Sequence, residues 1–131
     1  MNIPVASLLV AMALPYVWGA VSVPLRLKQF GKLDNDHPRE QQAKATGAAL
    51  RAQGASANAF EALAVYGPAV VIQQLLAPTA ALATTLAIGW MIARTLHGVL
   101  YLANISPVRS LAWLAGVTCA VGQVLLALRV L

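Results

Sequence analysis

Four apolar stretches, each near the ~20 residues that a bilayer's hydrocarbon core requires, are separated by polar interruptions of very different length. The first stretch runs over 3–25 and the second over 47–76, its first turns projecting from the membrane. Between them lies a polar segment at 26–46. A short uncharged link at Ala77, Pro78 and Thr79 leads to the third stretch, 80–102. Asn104, Ser106 and Pro107 mark a turn before the fourth, 109–128. Pro15 falls inside the first stretch, where one lost backbone bond predicts a kink rather than a break. Spans joined by short links predict an all-α, integral-membrane, up-down four-helix bundle, one domain over 1–131.

Composition agrees with a lipid environment. Apolar residues make up 60% of the 131 and charged residues 10%, too much apolar surface for so small a soluble domain to hide. The net charge of +5 does not point to nucleic acid, because six of the nine basic residues (Arg26, Lys28, Lys32, Arg39, Lys44, Arg51) cluster around one polar segment. That clustering predicts a cytoplasmic loop 26–46 under the positive-inside rule. Arg94 and the turn at Arg109 fall on the same side, so both termini are expected on the opposite, periplasmic side of a bacterial inner membrane. No positive region precedes the apolar run at Met1–Ala20, which therefore predicts an uncleaved span. The single cysteine, Cys119, permits no internal disulfide. Asp34, Asn35, Asp36 and His37 hint at a metal loop, but Arg39 stands where a calcium loop needs glycine and Ala45 where it needs glutamate, so no metal is expected.

Within the spans a few residues break the apolar pattern. A charged side chain at the membrane centre costs roughly 2.5–3.5 kcal/mol, so such residues face a bundle interior and mark function. On the second span Arg51, Asn58 and Glu61 are spaced by seven and three residues, which at about 100° per residue keeps them on one face. Arg94, His97 and Tyr101 repeat that logic on the third, and Arg109 with Ser110 opens the fourth. Each has a bland explanation: an ion pair for Glu61, a hydrogen-bonded interior histidine for His97, an interfacial belt for Tyr101, a snorkelling anchor for Arg109. Together, three arginines exceed the one acid available in the spans, and a surplus of positive charge calls for an anionic ligand, thiolate or oxyanion.

These residues resemble the MAPEG family, the membrane-associated proteins of eicosanoid and glutathione metabolism. GAALRAQGASANAFEALAVYGP, from Gly47 to Pro68, is similar to the family's second-helix signature, with Asn58-x-x-Glu61 its most specific part. ARTLHGVLYLANISPVRSLAWLAG, from Ala93 to Gly116, is similar to the third-helix Arg, His and Tyr followed by Arg-Ser at the start of helix four. In eukaryotic members an arginine precedes the Asn-x-x-Glu pair by about one turn. Here the nearest is Arg51, two turns ahead, so the pattern looks more like the bacterial branch.

The resemblance implies a homotrimer that binds glutathione between neighbours near the cytoplasmic side. It assigns Asn58, Glu61, His97 and Tyr101 to the pocket, groups Arg51 and Arg94 with them, and matches Arg26 to a basic pocket position. Arg109 would stabilise the glutathione thiolate, with Ser110 as a neighbouring hydrogen-bond donor. The activity expected is a glutathione-dependent transferase or peroxidase acting on a lipophilic substrate that enters from the bilayer. A non-catalytic lipid- or small-molecule-binding protein of the same fold is the alternative. A small proton-coupled exporter would also use four spans and a buried glutamate, but surplus arginines would repel its usual cationic cargo.

Overall fold

The computed structural model describes residues 2–130, which form five helices: α1 (Ile3–Phe30), α2 (Pro38–Ala43), α3 (Gly47–Leu76), α4 (Ala81–Ala103) and α5 (Ser106–Ala127). All but α2 are long and apolar enough to cross a membrane. Local chemistry sets the ends of α1. The Asn2 side chain accepts from Val5 N–H at 3.1 Å, and Pro4 occupies the first turn, where a missing N–H costs nothing. The helix passes through Pro15 and Pro24 and runs five residues beyond the expected end at 25. It stops at Gly31, whose φ of 74° is open to glycine and whose N–H closes on the Leu27 carbonyl.

The segment expected as a polar loop contains one short helix. Asp34 Oδ1 accepts from the backbone N–H of His37 at 2.8 Å and of Asp36 at 3.0 Å, and Pro38 then opens α2. Gln41, buried, donates to the Lys32 carbonyl at 2.8 Å and folds α2 back on the end of α1. At the other sharp turn Asn104 takes the left-handed conformation (φ 61°), and Ile105 N–H bonds the Leu100 carbonyl at 3.0 Å. Helix α5 then starts at Ser106, three residues before the expected 109, because Pro107 fits the first turn of a helix.

The long helices run up and down, with α1 against α3 and α4, α4 against α5, and α3 touching all three partners. Their core is built largely of alanine, while Leu9, Leu75, Ile92 and Leu111 face outward. Lipid tails are as apolar as leucine, so small residues at the seams and large ones outside are the arrangement a membrane favours. Two aromatic anchors interrupt the small packing. Tyr66 and Trp90 stack at 3.8 Å and 8° among Ala11, Val70 and Ala120, and Trp18 packs with Leu14, Ala55 and Ala59. Gly98 makes room for Trp18, since a Cβ there would lie 2.2 Å from the indole ring.

Candidate functional site

Arg94, on α4, is 4% exposed and points across to α3. Its Nη2 donates to the Asn58 carbonyl at 3.1 Å and to the Asn58 side-chain oxygen. The Asn58 amide in turn donates to Glu61 Oε2 at 3.3 Å. Asparagine thus stands between cation and carboxylate, accepting from one and donating to the other. Helix α5 admits the Arg94 shaft because position 116 is glycine; a Cβ there would sit 2.7 Å from Arg94 Cδ.

This relay lines one end of a cavity of about 310 Å³ between α3, α4 and α5. The remaining wall is mainly apolar: Ala62, Val65, Trp90, Trp113, Val117 and Ala120. The space therefore offers hydrogen bonds at one end and hydrocarbon contact along its length, the arrangement of a small-molecule pocket. Trp90 and Trp113 were not singled out in the sequence. Trp90 stands one turn before Arg94 on the polar face of α4, and Trp113 one turn after Arg109, so extending each stripe by a turn would have found them.

His97, Tyr101 and Arg109 form a second cluster toward the α4–α5 turn. Tyr101 meets the buried His97 edge-on at 5.6 Å, and the Arg109 guanidinium lies 4.3 Å from the Tyr101 ring centre. The Tyr101 ring covers Gly54, the residue one turn ahead of Asn58; a Cβ there would come within 2.8 Å of its hydroxyl. Ser110 is exposed and donates to the Ser106 carbonyl within its own helix at 3.1 Å.

Like His97, Tyr101, Arg109 and Ser110, the expected residues Arg51 and Arg26 do not line the cavity between α3, α4 and α5. Arg51 donates through Nε to the Leu102 carbonyl at 3.0 Å and ties the start of α3 to the end of α4. Arg26 lines a cavity of about 400 Å³ on the other flank of α3, with Arg39, Gln42, Gln53 and Ser56. It is 8% exposed, its Nη1 reaches Gln41 Oε1 at 3.5 Å, and its Nε has no partner among the described residues. Both basic side chains on this wall donate to glutamine side-chain oxygens rather than to carboxylates, and Arg39 and Gln42, on the six-residue α2, carry no periodic signal. Among the described residues no three His, Cys, Asp or Glu side chains gather into a metal site.

Four apolar helices define an integral, multi-pass membrane protein, and its arginine–asparagine–glutamate relay, buried at Arg94 and exposed at Glu61, lines a cavity among three of them. The chain belongs to the MAPEG family, whose family model matches residues 3–129. No curated protein and no solved structure matched the chain. Membership gives it a general place in membrane-associated glutathione or eicosanoid metabolism, in a family generally associated with glutathione.

Proposed function

We propose that the protein is a membrane-embedded glutathione-dependent transferase or peroxidase acting on lipophilic substrates. The observation that carries this reading is the cavity with Asn58, Glu61 and Arg94 at one end and an apolar wall of Val65, Trp113 and Val117 beyond. The polar end suits the peptide groups of glutathione, and the apolar wall suits an acceptor arriving from lipid. In a transferase step the glutathione sulfur bonds to an electrophilic carbon of the acceptor, whose displaced electron pair takes a proton. In a peroxidase step the thiolate attacks the terminal hydroperoxide oxygen, the O–O bond breaks and the alkoxide takes a proton to leave as the alcohol. The sulfur of a second glutathione then displaces water from the resulting sulfenic acid to form the disulfide.

Arg109 is assigned to the thiolate. A thiol with an ordinary pKa of about 8.5 is mostly protonated at neutral pH, and an adjacent guanidinium, which does not lose its own charge, favours the nucleophilic form. Arg109 stands one turn from Trp113 in the cavity wall and is ordered against Tyr101. The ultraviolet absorbance of the thiolate, developed when glutathione is added to purified protein, should vanish in Arg109→Ala; an unchanged signal removes Arg109 from the mechanism. The same reading places the loop that carries α2 in the cytoplasm and assembles three copies in a ring. A ring suits two unlike flanks, one open at Glu61 and one basic at Arg26 and Arg39. Native mass measurement in detergent tests the count.

One observation favours a non-catalytic binding protein instead. The Ser110 hydroxyl is engaged by Ser106 within α5 rather than directed into the cavity. Saturable binding of glutathione or a lipid with no turnover of electrophiles or hydroperoxides would establish that reading.

A further inference from the structure

The half of the bundle away from the candidate site holds a polar column with no part in the proposed chemistry. Ser7, Tyr66, Gln73 and Gln123, on α1, α3 and α5, are each 0% exposed. Ser7 Oγ donates to the Pro4 carbonyl at 2.6 Å, which leaves the 2.6 Å contact with Tyr66 to be donated by the Tyr66 hydroxyl. Gln73 is bonded to the Ala77 carbonyl, and Gln74 links it to Asn2 at the surface. Gln123 Nε2 donates to the Ala83 carbonyl at 3.0 Å, which fixes the amide with its oxygen turned away. That oxygen, Oε1, has no partner among the described residues although it is fully buried.

A cavity of about 230 Å³ opens at the same end, lined by Asn2, Pro4, Gln74, Ala83 and Thr84 among others. Pro4 and Ala83 stand between the two: both line the cavity, and their carbonyls receive Ser7 and Gln123 of the column. At the inner end of the column Tyr66 lies flat on Trp90, and Trp90 is a wall of the site cavity. A buried acceptor without a partner is rare and costly, and in a roomy polar setting water supplies the missing donor.

We propose that this end of the bundle is a one-sided water path, entering at Asn2, binding water at Gln123 Oε1 and stopping at the Tyr66–Trp90 stack. The ligand is water or a neutral solute of similar size, because the column offers hydrogen bonds and no formal charge. The path reaches the bilayer's interior from the face that carries Asn2 and is separated from the site cavity by one layer of stacked rings.

Silver ions react with thiols and travel only where water does. With Cys119 replaced by Ser, Ser7→Cys and Gln123→Cys would be expressed separately in sealed vesicles and exposed to silver from each side. Protection from later alkylation in denaturant reports the reaction. Both thiols should be protected at least tenfold faster from the face that carries Asn2 than from the other. A dry reference, Ala59→Cys, packed among Leu14 and Trp18, should stay slow from both. Ser7→Cys is nearly isosteric and keeps the measurement available should Gln123→Cys not fold. Rates at position 7 equal to those at position 59, or equal from both faces, overturn the proposal.

Discussion

Asn58 holds two charged side chains together by offering each what it lacks, an oxygen to Arg94 and an N–H to Glu61. In Asn58→Ala the buried guanidinium loses a charge-assisted bond, at a cost of about 1.5–3 kcal/mol. Thermal unfolding in detergent should register the loss, while Asn58→Asp, which keeps the oxygen for Arg94 but sets a second carboxylate against Glu61, should recover only part of it. Gly98→Ala tests a different force: its methyl group would collide with the Trp18 ring and cost about 1–3 kcal/mol by overpacking. A Trp18→Leu change in the same chain should restore part of that loss, and failure to do so would place the strain elsewhere. At this scale helical periodicity was enough to put Asn58, Glu61 and Arg94 on facing stripes. It could not divide the stripe on α4. Arg94 and Tyr101 share a face, yet seven residues of helix separate them by about 10 Å along the axis, so they serve two clusters rather than one.

The elements are held at their ends by contacts that skip along the chain. Arg51 closes the last turn of α4 through the Leu102 carbonyl, where a cation also meets the negative end of the helix dipole. Arg51→Ala should speed amide exchange in the last turn of α4 and leave the middle of the helix unchanged. In the loop, the His37 N–H first and the Asp36 N–H with it hold the Asp34 carboxyl below its ordinary pKa of 3.8. A carboxylate with a lowered folded pKa stabilises its turn above 3.8 and loses that contribution as pH falls through the folded value. Amide exchange at Asp36 and His37 should therefore accelerate only in that acid range, and Asp34→Asn, which keeps the acceptor without the charge, should remove the dependence. The span boundaries were readable because lipid imposes a length. Helix α2 was not, because six residues carry no period, and what fixes it is Gln41 reaching back to the Lys32 carbonyl.

As a whole the molecule is two helix pairs, α1 with α3 and α4 with α5, joined by the turn at Ala77–Ala80. Each pair consists of spans able to insert on their own, and association in lipid follows from packing rather than from the connection. Fragments 1–77 and 78–131, produced together, should therefore co-purify from the membrane; separate elution would show that the turn itself holds the pairs in register. The sequence displayed four spans and a polar face but not the alanine seams between them, because alanine has no preference that distinguishes a seam from a lipid face.

The close seats at Gly98 and Gly116 bear on how such a chain can change over generations. Positions 98 and 116 set helix distances by the absence of a side chain, so the first mutational step away from glycine meets a ring or an arginine shaft. Outward residues such as Leu9, Leu75 and Ile92 are exposed on the helix surfaces and can be exchanged for one another. In a saturating mutational scan for folded protein in the membrane, tolerance should therefore follow the seams and not hydrophobicity. The most restricted positions would be among the smallest residues in the chain.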